Sequence, residues 1–325
     1  MKKILKKNYL LFLVLSLVLL CTFNLGAEEY EIGISQFVEH PSLDLAREGF
    51  IDQLAEEGFV ENENIKIDRQ NAQADFSTAQ TIAQRFKQNR PDLILAIATP
   101  SAQTAANIIT DIPVLITAVT DPVEAGIVET MESPGANITG TTDMNPVDKQ
   151  LELIRDFLPE IKNLGIIYNP GEVNSTVQVE IAKEKAKEMD VNIVEATVSN
   201  SSEVSLAVSS LVGNVDAIYV PTDNIIVSAM PTVLQTAYNN NIPVFASENN
   251  SVEQGAIATL GIDYYQLGKQ TGSMAAKILN GADPSEMSVE SSEELKLYIN
   301  KSSADRIGLE VPAELMDTAD TIFEE

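Results

Sequence analysis

The chain has 325 residues, 44% of them apolar, and carries a formal net charge of −27. That length and apolar share support two domains of ordinary size, each with its own core, and argue against disorder. The acidity repels nucleic acid and anionic lipid, which argues against DNA or RNA as a partner, and one histidine with one cysteine leaves too few soft ligands for a transition-metal site.

Four lysines precede an apolar run from Tyr9 to Leu20, and a polar break follows it. The run is shorter than the about 20 residues a membrane span needs, so the segment reads as an export signal over residues 1–27. Two processing sites compete. Cys21 stands where a lipoprotein signal places the residue to be acylated, although Leu20 is not the small residue preferred before it; the rival is a cut after Ala27. Loss of residues 1–27 removes four lysines and no acid, leaving −31. A sole cysteine permits no disulfide within the chain.

From residue 30 onward, short apolar strands alternate with amphipathic helices, the pattern of a parallel sheet covered on both faces. Strands are expected at 30–37, 64–72, 92–98 and 113–119. After the first, Leu43, Ala46, Phe50 and Leu54 recur at helical spacing. The segment TGTTDMNPVDKQ, 139–150, is rich in Thr, Asp, Asn and Pro and reads as a crossing linker that runs into a helix over 145–158. A second series follows, with strands at 163–169, 191–198, 215–221, 242–247 and 255–263. Residues 262–281 then form a helix that Asp263 can cap and Asn280–Gly281 can end, placed so that it can return to the first half. The expected fold is α/β, with two similar doubly wound parallel-sheet lobes.

In such sheets ligands bind beyond the carboxyl ends of the strands. After the first strand come Ser35, Gln36, Phe37, Glu39 and His40; after the third, Thr99, Ser101 and Ala102 open a helix whose free N–H groups suit a carboxylate; after the fourth come Thr120 and Asp121. The second half supplies Tyr168, Glu172, Asn174 and Ser175, then Thr222, Asp223 and Asn224, then Ser247 and Glu248. Any one of these is an ordinary helix cap or turn residue. Their recurrence in both halves points to two polar rims facing across a cleft. Catalysis has little support: Ser35 or Ser101 could pair with His40, but there is no G-x-S-x-G elbow, and neither a phosphate loop nor a dinucleotide fingerprint marks a cofactor.

ISQFVEHPSLD, ATPSAQTAAN, TDPVEAG, YNPGEVNS, YVPTDN and GIDYYQLGKQTG, spread from about Tyr30 to about Pro312, resemble the tryptophan- and tyrosine-type substrate-binding proteins of ABC transporters, which have the type I periplasmic binding protein fold. The resemblance implies a three-segment hinge near 139–144, 260–263 and 290–295. One lobe would comprise 28–141 and 262–291, the other 142–261 and 292–325. It further implies an exported monomer, periplasmic or at the cell surface, possessing a lipid anchor if Cys21 is acylated, and handing an aromatic amino acid to a membrane permease. No cofactor and no metal are implied. For such a zwitterion, Thr99 to Ala102 suit the carboxylate, Asp223, Glu248 or Asp121 the ammonium, and Phe37 or Tyr168 the ring. A sensory receptor of the same fold, or a nucleoside or sugar as ligand, is the alternative.

Overall fold

The computed structural model describes residues 29–292 and 294–324. The export-signal reading of residues 1–27, and Cys21 with it, lies outside the described residues. In chain order the strands are β1 (Tyr30–Gln36), β2 (Ile65–Asn71), β3 (Leu93–Ile97), β4 (Val114–Val119), β5 (Ile138–Thr142), β6 (Asn163–Tyr168), β7 (Asn192–Thr197), β8 (Ala217–Val220), β9 (Val244–Ala246), β10 (Ala258–Gly261), β11 (Glu290–Ser291), β12 (Lys296–Asn300) and β13 (Thr321–Phe323).

Six of them form one parallel sheet in the order β11-β5-β4-β3-β1-β2. Its central strands, LILAI and VLITAV, are buried at every residue, as a sheet covered on both faces requires. In the second lobe β7-β6-β8-β9 are parallel, and a smaller sheet, β10-β12-β13, adds an antiparallel β10–β12 pair. Two apolar clusters form the core of this lobe. The chain passes between the lobes three times: from β5 to the helix Val147–Phe157, from β10 to the helix Tyr264–Leu279, and from β11 to β12.

The linker reading of 139–150 needs correction at its start. Ile138–Thr142 is a strand, β5, buried throughout. Its composition hides it, because the hydroxyls are satisfied internally rather than by water. Thr139 Oγ1 donates to the Met287 carbonyl at 2.8 Å, Thr141 Oγ1 lies 2.8 Å from Thr271 Oγ1, and Thr142 Oγ1 donates to the Thr120 carbonyl at 2.7 Å. Gly140, at φ 145°, lets β5 lie against β4, where a Cβ would stand 2.0 Å from the Ile116 oxygen.

The helix Tyr264–Leu279 does return to the first lobe. Asp263 caps it by accepting from the Tyr265 and Gln266 N–H groups, and its Tyr264, Leu267 and Met274 join the core around Ile34 and Phe50. It lies against the helix Pro41–Glu56 with almost no side chain between the backbones. A Cβ on Gly268 would sit 2.0 Å from the Ala46 oxygen, and one on Gly49 2.1 Å from the Tyr265 oxygen. Residues 49 and 268, far apart in the chain, are thereby packed into one helix pair. Gly268→Ala is expected to lower the unfolding free energy by about 1–3 kcal/mol, the usual cost of overpacking, seen as an earlier urea midpoint at unchanged slope. A midpoint equal to that of the wild type would mean that the helices separate freely.

Candidate functional site

The strand ends of both lobes converge on a small closed cavity of about 10 Å³, room for about one water molecule. His40, Leu43, Ala118, Thr120 and Tyr264 line it from the first lobe, Asn174, Thr222, Asp223, Asn224, Val227 and Glu248 from the second, and Asp143 from the first crossing. Ala118 holds a left-handed φ of 54° where the β4–β5 register shifts, a backbone conformation rare for alanine that turns the end of β4 toward the cavity.

The acids differ in how fully they are occupied. Asp223 caps the helix Asn224–Ser228: Oδ1 accepts from the Ile226 N–H at 2.9 Å, and Oδ2 from the Asn169 N–H at 2.6 Å and Ser175 Oγ at 2.7 Å. Glu248 caps the helix Asn249–Gln254 through the Asn250 and Ser251 N–H groups, and also accepts from the Ser251 hydroxyl and, across the lobes, from the Ser42 hydroxyl. Glu172, just behind the lining, accepts from Asn224 Nδ2 at 2.5 Å and Asn174 Nδ2 at 3.1 Å. Asp143 has one donor per oxygen, Thr120 Oγ1 at 2.9 Å and Tyr264 OH at 2.8 Å, and so keeps the most free lone pairs.

Burial raises the proton affinity of all four. Glu172 is pushed up to about 7, first by desolvation and then by the charge of Asp223. Desolvation also lowers His40 to about 4, so its imidazole is neutral at physiological pH. No lysine or arginine is among the lining residues. Two buried polar atoms on lining residues, His40 Nδ1 and Asn174 Oδ1, have no hydrogen-bond partner among the described residues.

Of the residues expected at the site, His40, Thr120, Asn174, Thr222, Asp223, Asn224 and Glu248 meet here. Ser175 lies behind them on Asp223. Others lie outside the cavity lining. Ser35 faces Ser101, with their hydroxyls 3.5 Å apart, and Ala102 is buried in the helix Thr99–Ile108. Thr99 is also buried there, its Oγ1 without a hydrogen-bond partner among the described residues. Gln36 donates to Asp44 Oδ1 at 2.8 Å and accepts from Arg47. Three further expected residues do not line the cavity. Phe37 is a core residue packed edge-to-face on Phe76, with ring centroids 5.9 Å apart. The Tyr168 hydroxyl turns to Glu195 at 2.7 Å, away from the cavity. Asp121 caps a turn by accepting from the Val123 and Glu124 N–H groups.

Asp143, Tyr264, Leu43, Ala118 and Val227 were not anticipated. Asp143 follows β5 directly, so the strand-end rule would have found it had β5 been recognised as a strand.

Two parallel-sheet lobes, three crossings and a polar cavity between them define a solute-binding receptor. The chain belongs to the ABC transporter substrate binding protein family, whose profile matches residues 31–323. It is 50% identical over 276 residues to a tyrosine-binding protein of Clostridioides difficile strain R20291, covering 85% of this chain and 80% of that one. Among solved structures it is similar to an ABC domain in complex with L-Trp from Streptococcus pneumonia, with 37% identity, TM-score 0.88, and coverage of 91% of this chain and all of that one. A ligand-free, open substrate-binding protein with adhesive properties from Clostridium difficile is 48% identical over the same shares of the two chains, with a TM-score of 0.69. Proteins of this family are receptors working outside the cytoplasm, and no helix among the described residues is long and apolar enough to cross a membrane.

Glu172 gives the site a pH signature. Between its ordinary value of 4.5 and about 7 the folded state binds more proton at this carboxyl than the unfolded state, so its contribution to stability falls as pH rises through that window. The unfolding free energy of Glu172→Gln minus that of the wild type should therefore grow from about pH 4.5 to about pH 7 and then level off, as measured by urea titration across pH. A pH-independent difference would show that Glu172 does not titrate there.

Proposed function

We propose that this chain is the receptor of an ABC importer for an aromatic amino acid, with the ammonium group bound in the acid-lined cavity. The observation that carries this reading is the convergence of Asp143, Asp223 and Glu248, with Glu172 behind them, on a space that no lysine or arginine of the described residues lines. Buried carboxylates are stable when something positive or hydrogen-donating faces them, and an α-ammonium supplies both. Asp143, the least occupied of them, is its principal acceptor. The carboxylate is assigned to the helix start at Thr99–Ala102, a role supported by the buried, unpartnered Thr99 hydroxyl. The tyrosine-binding relative and the L-Trp complex support an aromatic side chain.

This structure is the closed form. It superposes better on the L-Trp complex than on the open, ligand-free relative, although the latter is closer in sequence. The two lobes, 28–141 with 262–291 and 142–261 with 292–325, part at the three crossings to admit ligand. They close because the ligand touches both rims, and the closed face then docks on the permease. The chain works as a monomer, exported by its N-terminal segment and either cut after Ala27 or anchored through Cys21.

The reading is tested on protein refolded from denaturant to strip carried ligand. A thermal-shift screen of the twenty amino acids, nucleosides and simple sugars should show a selective rise with tyrosine, tryptophan or phenylalanine. A response confined to sugars or nucleosides would overturn the ligand assignment. In calorimetric titration Asp143→Asn should weaken binding of the responding amino acid about 10- to 100-fold, the scale of a hydrogen bond to a charged group, and its N-acetyl derivative should not bind the wild type. Unchanged affinity in the variant would remove Asp143 from the ammonium role.

A further inference from the structure

The cavity, with room for about one water molecule, cannot hold an aromatic ring. Beside it lies a second hollow of about 290 Å³. Val38, Glu39, Gln73 and Ala74 of the first lobe form one wall, and Ile225 and Ser228 of the second lobe face them. The two spaces are adjacent along the chain on both sides: Val38 and Glu39 run directly into His40, and the helix Asn224–Ser228 sends Asn224 and Val227 to the cavity but Ile225 and Ser228 to the hollow.

The wall at residues 73 and 74 is purpose-built. Gln73 and Ala74 hold consecutive left-handed φ values of 54° and 61°, a conformation that non-glycine residues rarely adopt. It is fixed by the Gln73 N–H donating to Asn71 Oδ1 at 2.6 Å and the Ala74 N–H donating to the Phe37 carbonyl at 2.8 Å. So held, Ala74 packs against apolar clusters of both lobes.

We propose that this hollow seats the ligand's side chain, clamped between Val38 and Ala74 on one lobe and Ile225 on the other; the proposal rests on the amino-acid reading above. A flat ring suits aliphatic walls of this kind. Because the walls belong to different lobes, the hollow is complete only on closure, so a side chain that fills it stabilises the closed form and a small one does not. Selectivity for size and closure are then one event. At the mouth, the exposed Glu39 carboxylate and Gln73 amide have no side-chain hydrogen bond to other described residues and present acceptors. A ring bearing an O–H or N–H donor, as in tyrosine or tryptophan, is therefore preferred to plain phenyl.

Calorimetric titration of full-length protein with L-tyrosine, L-tryptophan and L-phenylalanine tests this in the wild type, in Ser228→Phe, which fills the hollow, and in the Glu39→Ala/Gln73→Ala double variant, which strips its mouth. Ser228→Phe should weaken all three ligands at least tenfold while keeping a wild-type melting temperature without ligand. The double variant changes only exposed side chains and should narrow the preference for tyrosine over phenylalanine about three- to tenfold, the scale of one neutral hydrogen bond, with phenylalanine affinity unchanged within about twofold. The chain contains no tryptophan, so the emission of bound L-tryptophan reports its own surroundings and should shift to the blue. Failure of the wild type to bind any aromatic amino acid overturns the amino-acid reading and this proposal together. Tight wild-type binding that both variants leave unchanged overturns the side-chain site alone.

Discussion

Asp143, Glu172, Asp223 and Glu248 are each no more than 2% exposed, and the imidazole that lines their cavity is neutral. Withdrawing carboxylates from water without a countercharge is costly, and the protein offsets that cost with donors instead: helix N-termini for Asp223 and Glu248, amides for Glu172, hydroxyls for Asp143. Each acid is thereby fixed in direction.

The fixed acids are useful only if the lobes carry them as rigid bodies. The glycine-packed pair of helices, Pro41–Glu56 and Tyr264–Leu279, ties the first and last parts of the first lobe together. Gln150 does comparable work in the second, donating to the Ser247 and Leu260 carbonyls while its Oε1 accepts from Tyr219. Motion is left to the crossings, where the Lys296–Asp263 pair and the Tyr264–Asp143 hydrogen bond join neighbouring strands of the hinge. Across the cleft itself Ser42 reaches Glu248, so the residue that caps a helix in one lobe also senses the approach of the other.

Much of this was legible in the sequence. Apolar runs bounded by turn residues gave β1 to β4 and β6 to β10 their places, and the strand-end rule led to His40, Thr120, Asn174 and Asp223. The strand that escaped did so for a physical cause: polarity satisfied inside the protein looks the same in sequence as polarity facing water. ITGTT therefore read as linker when its hydroxyls were bonding the Met287 and Thr120 carbonyls and the Thr271 hydroxyl, and Asp143 was lost with it. Phe37 packs on Phe76 and the Tyr168 hydroxyl turns to Glu195, because a residue at a strand end can point to either face of the sheet and the sequence does not say which. The hollow formed by Val38, Ala74 and Ile225 depends on two lobes meeting, and no local pattern encodes that.

Closure over an amino acid is the central claim, and solution scattering measures it directly. The ligand-stripped protein should have a larger radius of gyration than this structure gives, and should contract to it when L-tyrosine is added to saturation. A radius that stays the same while calorimetry shows tyrosine bound would contradict closure of the lobes around the ligand.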